Sequence, residues 1–342
     1  MALNSRKIIN TLCKVVLPFL LGGAILWWMY REIDGEELKH VLSREMDWTW
    51  MLLSMPFGVL AQLFRGLRWR QLLVPMGERP RRFTCVNAVF LSYAGSLVVP
   101  RVGEVLRCGV LRRYEGTSFA RSLGTVVAER VVDMLLVLLI ALVAVGVQLR
   151  VFHTFFEHTG MGVSMLLGRF SATGYWVTAL CLLVTLVFIA MIMRRLAVFS
   201  KIKGVLRNLW EGICSLKQVQ NHSLFWVYTL AIWGSYYLHF YLTFRCFEET
   251  ASLGAVVALV AFVVGSFAVL VPTPNGAGPW HFAVKTVLVL YGVTEAAAVI
   301  FVLVVHTLQT LLVLALGLYA LLALQCTRPR PGVWQEHADG DK

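Results

Sequence analysis

The sequence predicts an all-α integral membrane protein, an inverted-topology repeat with about six full spans and two re-entrant hairpins broken by Pro and Gly. Three observations predict it. The 342 residues are 58% hydrophobic, with a mean hydropathy of +0.72, against roughly 45–50% apolar residues in soluble domains. Two apolar runs, Ser96 to Arg107 and Leu270 to Lys285, are each interrupted by Pro and Gly and then continue with ionisable groups. A broken backbone survives in lipid only where protein or a water-filled cavity covers it, and paired breaks in two halves point to a transporter's binding site. Finally, Lys and Arg fall unevenly between the two sides. With the N-terminus in the cytoplasm and both breaks drawn as hairpins, 24 of the 31 lie inside and 7 outside, while Asp and Glu split 9 to 10. Only positive charge sets topology in this way.

Taken in order, Asn4 to Lys14 is basic and Val15 to Tyr30 apolar, and Trp27, Trp28 and Tyr30 form an interface belt, so a retained first span is expected. Arg31 to Asp47 carries Leu38, Val41, Leu42 and Met46 at helical spacing, a short interfacial helix. Trp48 to Leu73 is the second span, with Gln62 and with Arg65, Arg68 and Arg70 snorkelling towards headgroups. Phe83 to Val99 enters the first break, and Gly103 to Arg130 is too charged to cross. Val131 to Leu149 and Tyr175 to Met193 are spans on either side of a loop. Residues 194–217 form a basic amphipathic segment with the stripe Ile202, Val205, Leu206, Leu209, Ile213 and Leu216. Leu224 to Phe244 is a span, Ala251 to Val271 enters the second break, Phe282 to Val293 returns, and Ala296 to Leu324 is the last span. The expected organisation is one polytopic domain over 1–326, with pseudo-repeats at about 1–150 and 174–326, and a cytoplasmic tail at 327–342.

Some chemistries are excluded by what is missing. The seven Cys are scattered and form no Cys-x-x-Cys, so neither a disulfide framework nor a zinc site is indicated. No basic run is interleaved with aromatics as a single-strand nucleic-acid binder needs. Gly-x-x-x-x-Gly-Lys-Ser/Thr, His-Glu-x-x-His and Gly-x-Ser-x-Gly are absent. No cofactor is called for.

The candidate site residues are ionisable groups beside the breaks. Arg101, Glu104 and Arg107 are three apart and share a helix face just after Pro100, with the break residue Gly103 between the first two. Glu129 and Asp133 are four apart, with Arg130 beside them, and two such carboxylates repel unless cations sit between them. These groups suit a lipid phosphate gripped by Arg forks that the carboxylates orient, or equally a cytoplasmic ion-pair network fixing the hairpin. His281 and Lys285 follow the breaks at Pro272, Pro274, Gly276 and Gly278, and read as an interfacial pair or as headgroup contacts from the other side. His306 and Gln309 on the last span read as partners for a neighbouring helix.

Asn87, the run Val99-Pro100-Arg101-Val102-Gly103-Glu104 with Arg107, Glu129-Arg130-Val131-Val132-Asp133 and Pro272-Thr273-Pro274-Asn275-Gly276-Ala277-Gly278 together resemble the flippase-like family, the transmembrane region of lysylphosphatidylglycerol synthetases and their stand-alone relatives. The resemblance covers nearly the whole chain. It implies a multi-pass inner-membrane protein that moves lipids, or lipid-linked molecules, between leaflets. That family usually has Gly where this chain has Asn275 and Glu where it has His281, and the synthetase's soluble aminoacyl-transfer domain has no counterpart here. Three functions follow as expectations: a lipid translocase running downhill or coupled to an ion or to membrane potential; a membrane enzyme acting on a lipid phosphate through Glu104, Glu129, Asp133 and His281; or a scaffold for a separately encoded lipid-modifying enzyme.

Overall fold

The computed structural model describes residues 23–27, 31, 35–100, 102–148, 214–271 and 273–330. Arg101, Pro272, most of the expected first span, the span Tyr175 to Met193, most of the basic amphipathic segment and the end of the tail lie outside these residues. The described residues are helical, with no strand among them.

Helix α1 (Gly35–His40) runs into a π-helical turn at Val41–Glu45. Val41, Leu42 and Met46 of this segment pack on the main core. Helix α2 (Trp48–Leu73) starts at Asp47, whose carboxylate accepts from the Thr49 N–H at 2.8 Å. Helix α3 (Arg82–Val98) has 17 residues, about 25 Å of rise. The chain turns extended at Val99, and α4 (Val102–Glu115) folds back along α3. Gly103 makes this tight approach: a Cβ there would run into the Ser92 carbonyl of α3. Helix α5 (Phe119–Val147) is continuous for 29 residues, about 43 Å. It therefore starts 12 residues before the expected span at Val131, because Arg121 and Glu129 face protein rather than lipid.

Helix α6 (His222–Phe244) is capped by Asn221, whose side chain accepts from the Leu224 N–H. After the short α7 (Glu248–Ala251), α8 (Gly254–Ala268) leads to a break holding a single 3-10 turn at Pro274–Gly276, and α9 (Pro279–Leu290) returns beside α8. Gly265 on α8 faces Trp280 and Val284 on α9. Helix α10 (Glu295–Gln325) closes the bundle.

Packing separates two cores. One is built on α6, α8, α9 and α10, around Phe240, Phe244 and Phe301. The other is built on α2 to α5, around Trp69, Cys85, Val89 and Leu111. Small residues bring the halves together: Gly317 of α10 sits against Ala94 of α3, and Gly58 of α2 against His239 and Leu312. The bundle has two chemically distinct ends. At one, Glu115 accepts from Arg81 Nε at 2.7 Å, from Thr84 Oγ1 at 2.5 Å and from Arg330 Nε at 3.0 Å, so both bases of the α3–α4 hairpin and the segment after the last helix are tied together. At the other, Glu249 of α7 accepts from the N–H and hydroxyl of Thr294, the N-cap of α10, joining the segment before α8 to the one after α9, and the Asp47 N–H donates to the Cys246 carbonyl.

Two of the described helical segments, Trp48–Met76 and Glu295–Gln325, are both long and apolar enough to cross a bilayer. A wide apolar surface supports the same environment. Leu135, Leu139, Leu142 and Val143 on α5 and Leu311, Leu314, Leu318 and Leu322 on α10 are each at least 52% exposed. Exposed apolar area on this scale in a single chain marks a surface that meets lipid or another protein.

Candidate functional site

Glu129 and Asp133 lie on the same face of α5, and carboxylates on a membrane helix need cations. The cations come from α2 and α4. Arg65 Nη1 donates to Asp133 Oδ2 at 2.6 Å and to Glu129 Oε1 at 3.4 Å. Arg68 Nη2 bridges Glu129 Oε1 at 3.0 Å and Asp133 Oδ1 at 2.7 Å, while its Nη1 donates to Thr229 Oγ1 on α6 at 3.2 Å. Arg107 Nη1 lies 2.9 Å from Glu129 Oε2. Trp233 Nε1 of α6 donates to Asp133 Oδ1 at 3.3 Å. No side chain of these three arginines and two carboxylates is more than 7% exposed.

Aromatic rings hold the guanidiniums in place. Arg107 lies 4.7 Å from the Trp69 ring centroid, and Trp69 Nε1 is itself fixed to Thr125 Oγ1 at 3.0 Å. Arg65 lies over Tyr236, whose hydroxyl donates to that of Tyr93 at 2.9 Å. Three guanidiniums against two carboxylates leave one positive charge in excess. Arg107 Nε and Nη2 and the Asn87 Oδ1 atom have no hydrogen-bond partner among the described residues. A buried guanidinium edge without an acceptor is costly, and it is a site where an anion oxygen would be stabilised.

This geometry corrects three expectations. Arg65 and Arg68 do not snorkel, and Gln62 is not at an interface: they are 2%, 0% and 3% exposed. Snorkelling needs a water-facing route, and here the carboxylates of α5 hold both arginines inside. Glu104 does not aim Arg107. It accepts from Arg130 Nε at 2.7 Å in a half-exposed pair, because α4 turns Arg107 towards α2 and Glu104 away from it. His281 and Lys285 sit in different settings. Lys285 Nζ meets Glu295 at 2.6 Å, while His281 is 3% exposed.

The second break is held from α10. His306 Nε2 donates to the Asn275 carbonyl at 3.1 Å, and Asn275 Nδ2 donates to Thr310 Oγ1 at 2.8 Å. The His281 and His306 rings lie against each other, centroids 4.3 Å apart and planes tilted by 54°. The Pro274–Gly276 turn also packs against α3, the arm that leads into the first break. The site residues therefore separate into three places: the buried cluster with Arg107, Glu129 and Asp133, the rim pair Glu104 and Arg130, and the second break with His281.

The profile of the lysylphosphatidylglycerol synthase TM region matches residues 15–317. The chain belongs to that family. It is also similar to glycosyltransferase AglD of Haloferax volcanii, 28% identical over 151 residues that make up 42% of this chain and 24% of that protein. The chain thus spans about a quarter of that relative's length. No solved structure matches.

Family membership gives the two departures in the second motif a structural meaning. Asn275 stands where Gly is usual, and its φ of 51° lies in the left-handed region, which Asn tolerates better than other side-chain-bearing residues. His281 stands where Glu is usual, at the third position of α9. Its Nδ1 accepts from the Gly278 N–H at 3.2 Å, the reach-back that Glu performs at the start of a helix. Both replacements keep the shape of the break. Sequence reasoning missed Arg65 and Arg68. The signal was there in outline: two carboxylates on a membrane helix face demand more cations than the neighbouring Arg130 supplies.

Proposed function

We propose that the chain moves phospholipids or lipid-linked headgroups between the leaflets of a cell's inner membrane. The observation that carries this reading is the buried cluster: three arginines, two carboxylates and an Arg107 edge with no acceptor, inside a bundle whose outer surface is apolar. Such a charge excess is retained in a lipid-facing protein where it serves an anion on its path.

In this reading α3–α4 and α8–α9 are re-entrant hairpins, one entering from each side, and the two halves form an inverted repeat within one polytopic domain. The base clamps support it, since Glu115 holds both arms of the first hairpin at the basic end and Glu249 joins the segments that flank the second at the other. The basic end, with Arg81, Arg112, Arg113 and Arg328, is then cytoplasmic, as are both termini. Arg107 takes the phosphate, Glu129 and Asp133 hold the forks in place, and acyl chains stay in lipid. Catalysis by this chain is disfavoured because Glu129 and Asp133 are engaged by arginines, leaving no carboxylate of the cluster as acid or base. A separately encoded lipid-modifying enzyme is the partner that this reading allows.

The test is translocation in vesicles, using purified protein, a panel of phospholipids and polyprenyl phosphates, and mass analysis of the lipids. Intact lipid crossing the bilayer supports the reading. Lipid of altered mass, or no crossing for any member of the panel, overturns it.

A further inference from the structure

A second charged place lies at the basic end, outside the buried cluster. Where α2 ends and α6 begins, a cavity of about 450 Å³ is lined by Arg70, Gln71, Arg79, Gln220 and Asn221 on its polar side and by Val74, Val219 and Leu224 on its apolar side. Its volume falls in the range of small-molecule sites, roughly 300–1,000 Å³. Two guanidiniums and three carboxamides face it, and no carboxylate does among the described residues. Arg70 is oriented by its Nε, which donates to the Pro80 carbonyl at 2.8 Å, so its Nη groups are left for another acceptor. Arg79 is exposed and makes no ion pair among the described residues. The 23-residue helix α6 begins here, adding the positive end of its dipole. Asn221 caps only the Leu224 N–H, so the preceding first-turn N–H groups remain available.

We infer that this cavity binds a phosphate group, as the docking site for a phosphate-bearing headgroup before it enters the bundle. Arginine forks match the oxygens of a phosphate, and lysine would not replace them. The apolar wall suits the glycerol and first acyl carbons of an amphiphile. The same helix links the cavity to the cluster: Leu224 borders the cavity, and Thr229, which Arg68 touches, lies five residues further along α6, about 8 Å of rise. A phosphate docked here shares α6 with the Thr229 that Arg68 touches. This inference rests on the proposed lipid handling only for the source of its ligand, because a free phosphate would use the same groups.

The experiment measures equilibrium binding to the full chain in phosphatidylcholine nanodiscs, with empty discs subtracted. Two probes are titrated, inorganic phosphate and dihexanoyl phosphatidic acid. Both are expected to bind, and tighter binding of the lipid assigns the cavity to headgroups. Arg70→Gln with Arg79→Gln should weaken the lipid probe at least tenfold. Arg112→Gln with Arg113→Gln, which removes two exposed cations of α4, should leave binding within twofold. Because Arg70 also holds the Pro80 carbonyl, Arg79→Glu alone serves as a second variant that leaves the fold's hydrogen bonds intact, and it should weaken binding at least threefold. Equal losses from the two double variants would reduce the effect to the general charge of that end and overturn the site. So would unchanged binding in Arg79→Glu, or no binding of either probe. No transport is measured, so a chain that binds the probe but moves no lipid upholds the cavity while refuting translocation.

Discussion

Glu129 is the residue on which the buried cluster converges, since all three guanidiniums reach it. Removing one charge from a buried pair leaves its partners uncompensated and costs about 3–5 kcal/mol. Glu129→Gln is therefore expected to lower the thermal unfolding midpoint in detergent strongly. Glu104→Gln removes a partner of a half-exposed pair, worth about 0–1 kcal/mol, and should leave the midpoint nearly unchanged. Equal losses in the two variants would show that the cluster is not the buried centre described here. Arg107→Lys is the functional counterpart. Lysine keeps a charge beside Glu129 but has no second edge to offer, so we expect a folded protein, eluting as one species, that translocates lipid at least tenfold more slowly. Wild-type rates in that variant would make Arg107 structural and move the lipid contact to Arg130 or Arg101.

Helices and breaks were the legible part of the sequence, and the reasons show where legibility stops. Apolar runs, Pro100, Gly103 and the Pro274–Gly278 stretch mark where the backbone must turn, and the structure turns there. The start of α5 was misjudged because a charge count treats every position of a membrane helix as facing lipid. Arg121 and Glu129 face protein, so the helix continues through them. Arg65 and Arg68 were illegible for a different reason. Their partners stand 61 to 68 residues away, and no local spacing links them. His281 was placed by its neighbour Lys285, four residues on, whereas each is drawn to a partner from elsewhere, His281 to His306 and Lys285 to Glu295. At this scale one helix provides its own control. Gly103→Ala puts a methyl group against the fixed Ser92 carbonyl and should destabilise the protein by about 1–3 kcal/mol as the arms separate. Gly109→Ala, also on α4, meets nothing within 4 Å and should stabilise by about 0.5–1 kcal/mol through helix propensity. Chemical unfolding in detergent reads both, and loss of stability in Gly109→Ala would refute the packing of α4.

The whole bundle is organised by its two ends. Arg81, Glu115 and Arg330 meet at one, and Glu249 with Thr294 at the other. Reporter fusions after Arg81, Arg113 and Pro329 are therefore expected to share one side, the cytoplasm, and fusions after Lys39 and Glu249 to share the opposite side. An external signal after Arg113 alone would mean that α3 and α4 do not form a hairpin returning to its own side.

The three-to-two count of arginines and carboxylates in the cluster also has an electrical consequence. A phosphodiester carries one negative charge, so the loaded core is electroneutral and the voltage across the bilayer exerts no net force on it. The empty core carries a charge of +1, and a field worth about 2.3 kcal/mol per elementary charge per 100 mV acts on whatever part of its return crosses that field. In the proposed cycle, voltage governs the resetting step and leaves the lipid-carrying step alone.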